Sequence, residues 1–225
     1  KAQVSMAPMA DVLAVFAWTG GGPAVFLVER EDPGLRVGER IHNLGYEALH
    51  TSPVTLEGVR VPEERRLAAD DGPALMERLR DAEDRTLTAA SLGILWRCLE
   101  HAQQAADRPR AHGKPPAGYQ LVRFSLAEML TLAQTAQILA YRAFCALAAG
   151  DPEARTLLLC AKVFATEAAC KVSDQAMQIL ASTGYRRGNP VERALRNARL
   201  GTIVGHTSEV ARMAIADDVI ERMTR

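Results

Sequence analysis

Residues 154–213, ARTLLLCAKVFATEAACKVSDQAMQILASTGYRRGNPVERALRNARLGTIVGHTSEVARM, decide the fold of this 225-residue chain. Leu158, Ala161, Ala165, Ala168, Val172, Ala176 and Ile179 recur every three or four residues, which puts a stripe of mostly small apolar side chains on one helix face. Glu167, Lys171, Asp174 and Gln178 form a polar stripe at the same spacing, read as a solvated face with a Glu167–Lys171 pair one turn apart. The helix stops in the run Gln178–Tyr185. Asn189-Pro190-Val191-Glu192 then restarts the chain with an N-cap, a proline at the first helical position and a capping-box glutamate. The short helix that follows carries Arg193, Arg196 and Arg199 near one face. Thr207 reads as the N-cap of a last helix running from Ser208 to about Arg222, and its free N–H groups beside those arginines make a candidate anion site.

Working outward, the sequence before this stretch contains two kinds of segment. Residues 1–72 are β-rich: Asp11–Thr19 and Pro23–Glu29 flank Gly20-Gly21-Gly22 as a hairpin, Leu35–Ile41 follows a Pro33-Gly34 turn, and Ser52–Val61 alternates like a strand. The glycine run precedes a strand rather than a helix, so it reads as a turn and not as a phosphate cradle. Residues 73–225 are helical. Ala74–Ala106 places Leu87, Ala90, Ile94 and Cys98 on one face, the Pro/Gly-rich residues 107–118 break the pattern, and Tyr119–Ala149 forms a second long helix ending at Gly150. In that helix Leu126, Met129, Ala133, Ala136, Ala140, Phe144 and Leu147 share one stripe while Leu132 and Leu139 lie off it, so more than one side must be covered. Long antiparallel helices with short links predict a four-helix bundle, and the fold class is α+β, mostly α.

Charge and cysteine usage exclude several functions. The 27 basic and 27 acidic residues balance. No block of like charge is present to release counterions from a phosphate backbone, so neither nucleic acid nor a membrane surface is expected as a partner. There is no run of about 18 apolar residues and no signal-like start, which predicts a cytoplasmic protein without a membrane span. Cys98, Cys145, Cys160 and Cys170 lie in helical patterns without a Cys-x-x-Cys pair, so buried reduced thiols and no metal site are expected.

The order AKVFATEAA, QIL with GY four residues on, NPVERALRNAR and T-x-E-V-A-R-M resembles the C-terminal domain of the acyl-CoA dehydrogenase family of flavoproteins. FLVER with PGL after it, then LGYEALHTSPVTLEGVRVPEERRL, resembles that family's middle β-domain, which makes the β-rich part a partial barrel-like domain. The family's N-terminal helical domain has no counterpart in these residues. The resemblance implies FAD, an acyl-CoA thioester substrate, a homo- or hetero-oligomer (dimer or tetramer) and electron-transfer flavoprotein as a partner.

It also implies a chemistry. A carboxylate removes the α-proton while the β-hydrogen leaves as hydride to the flavin, with the thioester oxygen held by hydrogen bonds. In most members the base is the Glu of Tyr-Glu-Gly-Thr; Val204-Gly205-His206-Thr207 stands there in this chain, with Gly205 in the place of the Glu. Isovaleryl- and long-chain-type members carry the base on the first long helix before an Arg, which here is the pair Asp84-Arg85. Glu83 falls on a different face, and His206, which could accept a proton near neutral pH, reads instead as a solvent-exposed turn residue. Arg85 and Tyr185 would line the acyl-CoA side. The family's FAD contacts correspond to Ser5 near the start, to a charge shifted to Arg108 or Arg110, to Gln178 and Ser182 of a Gln-x-x-Gly-Gly element that has lost its glycines, and to Thr207 and Glu209. These substitutions leave two functions open: an FAD-dependent acyl-CoA dehydrogenase, or a catalytically inactive subunit of the same fold completing a hetero-oligomeric dehydrogenase.

Overall fold

The computed structural model describes residues 1–67, 72–108 and 113–224. Contacts divide the chain into two compact units, Lys1–Leu79 and Arg80–Arg225.

The first unit is built from short strands: β1 (Val4–Ser5), β2 (Val12–Thr19), β3 (Gly22–Glu29), β4 (Leu35–Val37), β5 (Thr51–Ser52), β6 (Val54–Leu56) and β7 (Arg66–Leu67). Strands β2 and β3 form the expected hairpin, in register from Val12↔Glu29 to Thr19↔Gly22, so Gly20-Gly21 is the two-residue loop. Strand β7 extends that sheet to three strands, β1 pairs with β5, and β4 with β6, all antiparallel. The single strand expected over residues 52–61 is broken by Pro53, which has no N–H for a ladder, and by the bend at Glu57-Gly58. Gly34 is required where it stands: its φ is +93°, and a Cβ there would lie 2.1 Å from the Glu57 carbonyl oxygen.

Among the described residues five α-helices follow: α1 (Gly72–Asp107), α2 (Gln120–Ala149), α3 (Ala154–Leu180), α4 (Pro190–Gly201) and α5 (Ser208–Met223). Helix α3 lies against α2, α4 and α5, and all seven residues of its sequence-read stripe are buried. The facing stripe of α2 is Met129, Ala133, Ala136, Ala140 and Ala143, so mostly methyl groups meet and the two backbones approach closely. Leu95, Cys98, Leu99, Ala102 and Ala106 of α1 complete the core together with Val191 and Ala198 of α4. The Trp96 indole N–H donates to Gln137 Oε1 at 2.7 Å, tying α1 to α2.

Three local expectations change. Glu167 and Lys171 do not pair with each other. Arg212 of α5 donates to Glu167 Oε2 at 2.7 Å and Lys171 to Glu128 of α2 at 2.5 Å, so these charges join helices instead of decorating one. Asn189 caps α4 by accepting from the Val191 N–H at 2.8 Å, and the buried Glu192 reaches back to the backbone N–H of Gly188, one residue before the cap, while also holding Arg196. Cys145 is exposed rather than buried, while Cys98 is enclosed and its thiol is pushed up to about 12 by burial. Among the described residues no helix is long and apolar enough to cross a membrane.

Candidate functional site

The inward face of α1 runs through Asp84, Thr88, Ser91, Leu95, Cys98, Ala102 and Ala106, a continuous helical stripe whose first three members are polar and buried. The Thr88 hydroxyl donates to the Asp84 carbonyl at 2.7 Å and the Ser91 hydroxyl to that of Leu87 at 2.8 Å, so both are satisfied within the helix. Asp84 is the charged member, and it is 0% exposed. A buried carboxylate needs partners, and the turn between α4 and α5 supplies them. The His206 N–H donates to Asp84 Oδ1 at 3.2 Å, and His206 Nδ1 lies 2.5 Å from Asp84 Oδ2.

Gly205 lets that turn close. Its φ is +70°, and a Cβ on it would stand 2.6 Å from Asp84 Oδ1 and 3.1 Å from Leu87 Cδ1. From the third side α3 contributes Lys162, also 0% exposed, whose ammonium donates to the His206 carbonyl oxygen. Burial holds Lys162 below its ordinary range, while Asp84, Glu83, Glu167 and Glu209 pull it back up. Glu83 faces solvent at the rim of this cluster, yet partial desolvation and the charge of Asp84 raise its carboxyl, with Lys162, His206 and Arg80 opposing. Among the described residues no three His, Cys, Asp or Glu side chains converge as metal ligands.

The other sequence-read residues fall in separate places. Arg85 is exposed, its Nε donating to the Asp81 carbonyl at 3.3 Å, and Tyr185 is 80% exposed beyond the end of α3. Arg108 and Ser182 line one cleft with His101, Gln104, Thr183 and Asn189. Thr207 and Glu209 line another, with Glu167, Lys171 and Arg199. Thr207 also caps α5, accepting from the Val210 N–H at 3.2 Å. Gln178 is exposed in the last turn of α3, and Ser5 is exposed in β1, opposite Thr51. Arg110 lies outside the described residues.

Sequence reasoning passed over two members of these sites and misplaced a third. Lys162 interrupts an otherwise apolar and small-residue face of α3, a signal that was readable; His206 is buried against Asp84 instead of exposed; and His101 has a buried Nε2 without a hydrogen-bond partner in the Arg108–Ser182 cleft.

Residues 73–220 match the acyl-CoA dehydrogenase family at its C-terminal domain. The chain belongs to this family. It is 37% identical over 225 residues to the benzylmalonyl-CoA dehydrogenase of Aromatoleum aromaticum, a match spanning 97% of this chain and 59% of that protein. It is 28% identical to subunit CarC of the caffeyl-CoA reductase–Etf complex of Acetobacterium woodii, over 99% of this chain and 60% of that one. Among solved structures, butyryl-CoA dehydrogenase from Megasphaera elsdenii superposes with a TM-score of 0.91 at 28% identity, covering 98% of this chain and 59% of its own. The chain thus spans about three-fifths of the length of these relatives.

In this member of the acyl-CoA dehydrogenase family, the turn that closes α3 has an unusual backbone. Ala181 keeps a glycine-type backbone, with φ 52° and ψ −135°. The Cβ is therefore held in a region that L-residues avoid, a strain of about 1–3 kcal/mol. Ala181→Gly is expected to raise stability by about 1 kcal/mol, the strain relief exceeding glycine's added chain entropy. Urea unfolding checks this, and a loss of stability would mean the turn carries no strain. The Arg108 guanidinium and the Ser182 hydroxyl, beside the glycine-type turn at Ala181, give this cleft donors that fit a phosphate-bearing group such as FAD.

Proposed function

We propose that the protein to which this chain belongs is a flavoprotein of the acyl-CoA dehydrogenase type, which oxidises an acyl-CoA thioester to the 2-enoyl-CoA. One observation carries the reading. The two positions from which family members present their base, residue 84 on α1 and residue 205 in the α4–α5 turn, lie side by side, and the chain keeps a carboxylate at the first where the second is glycine. FAD, when bound, accepts the β-hydrogen as hydride. Arg108 and Ser182 would hold it at one cleft and Thr207 and Glu209 at the other; Arg85, next to Asp84, would lie toward the acyl-CoA, whereas Tyr185 stands beyond the other end of α3.

Exposed Phe124, Ile138 and Tyr141, on the side of α2 away from its buried stripe, together with Val210, Met213 and Ile220 of α5, favour an oligomer that covers them. Electron-transfer flavoprotein is the proposed electron acceptor, in line with the Etf complex named for the Acetobacterium relative.

A second reading, an inactive subunit completing a hetero-oligomer, is favoured by one feature: both Asp84 oxygens are already occupied by His206. Product analysis separates the two. With a chemical electron acceptor and a panel of straight-chain, branched and aryl acyl-CoA thioesters, the purified protein should release the 2-enoyl-CoA from at least one. If product forms only when a second family chain is added, and survives Asp84→Asn in this one, the subunit reading stands.

A further inference from the structure

The buried pair on α1 and the α4–α5 turn presents an imidazole outward and a carboxylate inward. Asp84 has no exposed surface, and its two oxygens take the His206 N–H at 3.2 Å and His206 Nδ1 at 2.5 Å. The His206 side chain retains 6% exposure against 0% for Asp84, and the residue before it, Gly205, is exposed and carries no side chain. A ligand reaching this cluster therefore meets His206 before Asp84. Resting on the acyl-CoA dehydrogenase reading above, we infer that His206 Nε2 takes up the substrate's α-proton, with Asp84 as the positioning carboxylate and Lys162 anchoring the turn through the His206 carbonyl.

Hydrogen-bond chemistry assigns these roles. In the Nδ1–H tautomer the ring donates its proton to the Asp84 carboxylate and Nε2 keeps its lone pair, and this is the form the inference uses. The Cα–H bond breaks, its proton goes to Nε2, and the electron pair left on Cα delocalises into the thioester carbonyl. The Cβ–H bond then breaks with its pair leaving as hydride to the oxidised flavin, and the Cα=Cβ bond forms. The imidazolium created lies against the Asp84 carboxylate, which balances its charge inside the pocket, as in other Asp–His arrangements. The charged groups next to the pair are Glu83 on α1 and Lys162 on α3; Arg80 acts on Glu83, and Glu167 and Glu209 act on Lys162.

The test uses the natural-length flavoprotein and 3-thiabutyryl-CoA, in which sulfur replaces the β-carbon so that no hydride can leave. Exchange of its α-protons in D2O is read from the mass of the recovered thioester. His206→Gln keeps an amide that can bond Asp84 but has no site for the proton. It should slow exchange by about 100-fold or more with flavin content and thioester affinity unchanged. Exchange within twofold of wild type would overturn the inference while leaving the acyl-CoA reading intact. A wild-type protein that neither binds nor exchanges the thioester overturns both. Should the variant not fold, His206→Asn, the smaller amide, decides: exchange slowed about 100-fold supports the inference, and exchange within twofold of wild type overturns it.

Discussion

Gly205→Glu, which writes the more common family base back into the α4–α5 turn, is expected to lower stability by about 2–5 kcal/mol and to reduce turnover. Two terms add. At φ +70° a side chain pays the left-handed penalty of about 1–2 kcal/mol. Its Cβ would also stand 2.6 Å from Asp84 Oδ1 and 3.1 Å from Leu87, and overpacking of this kind costs about 1–3 kcal/mol. The carboxylate has nowhere to retreat, because Asp84 is enclosed and held by His206. The added Glu would also bring a second negative charge against it. Denaturant unfolding and enoyl-CoA production measure the two effects. A variant as stable as wild type and faster would show that the turn is not specialised around Asp84.

Asp84→Asn should reduce turnover by about 10³- to 10⁴-fold while the flavin stays bound, the size of effect found when the carboxylate of an Asp–His pair becomes an amide. The reason is the tautomer. An Asn side chain accepts through one atom and donates through the other, so with Oδ1 still taking the His206 N–H, its amide faces Nδ1 and donates to it. The ring proton moves to Nε2, the lone pair needed there is lost, and binding is untouched: kcat should fall with little change in KM. The same variant removes a buried negative charge near Lys162, so a stability loss of about 1–3 kcal/mol accompanies it. Full turnover in Asp84→Asn would remove Asp84 from the reaction.

The helical part was largely legible because its signals are local. The α3 stripe, the Asn189-Pro190 start, the Gly150 stop and the Thr207 cap all depend on residues a turn or two apart, and each stands where the spacing puts it. Helix α1 shows the limit. Apolar periodicity picks Leu87, Ala90, Ile94 and Cys98, whereas the buried stripe is Asp84, Thr88, Ser91, Leu95 and Cys98. A face that turns polar along half its buried length is invisible to a hydrophobicity pattern, and that polar half is where the candidate site lies. The enclosure of Asp84 could not be read locally, because its partners are 78 and 122 positions away, in Lys162 and His206. The small sheets were less legible, since Ser52–Val61 alternates well enough to look like one strand although Pro53 and Gly58 divide it.

The visible absorbance spectrum of the natural-length protein, recorded without oxygen before and after an acyl-CoA thioester is added, bears most directly on whether this chain belongs to a working dehydrogenase. An oxidised-flavin spectrum that bleaches as the 2-enoyl-CoA appears is the expected result, with bleaching lost in Asp84→Asn and in His206→Gln. Protein that carries no flavin, or flavin that stays oxidised with every thioester, would contradict it.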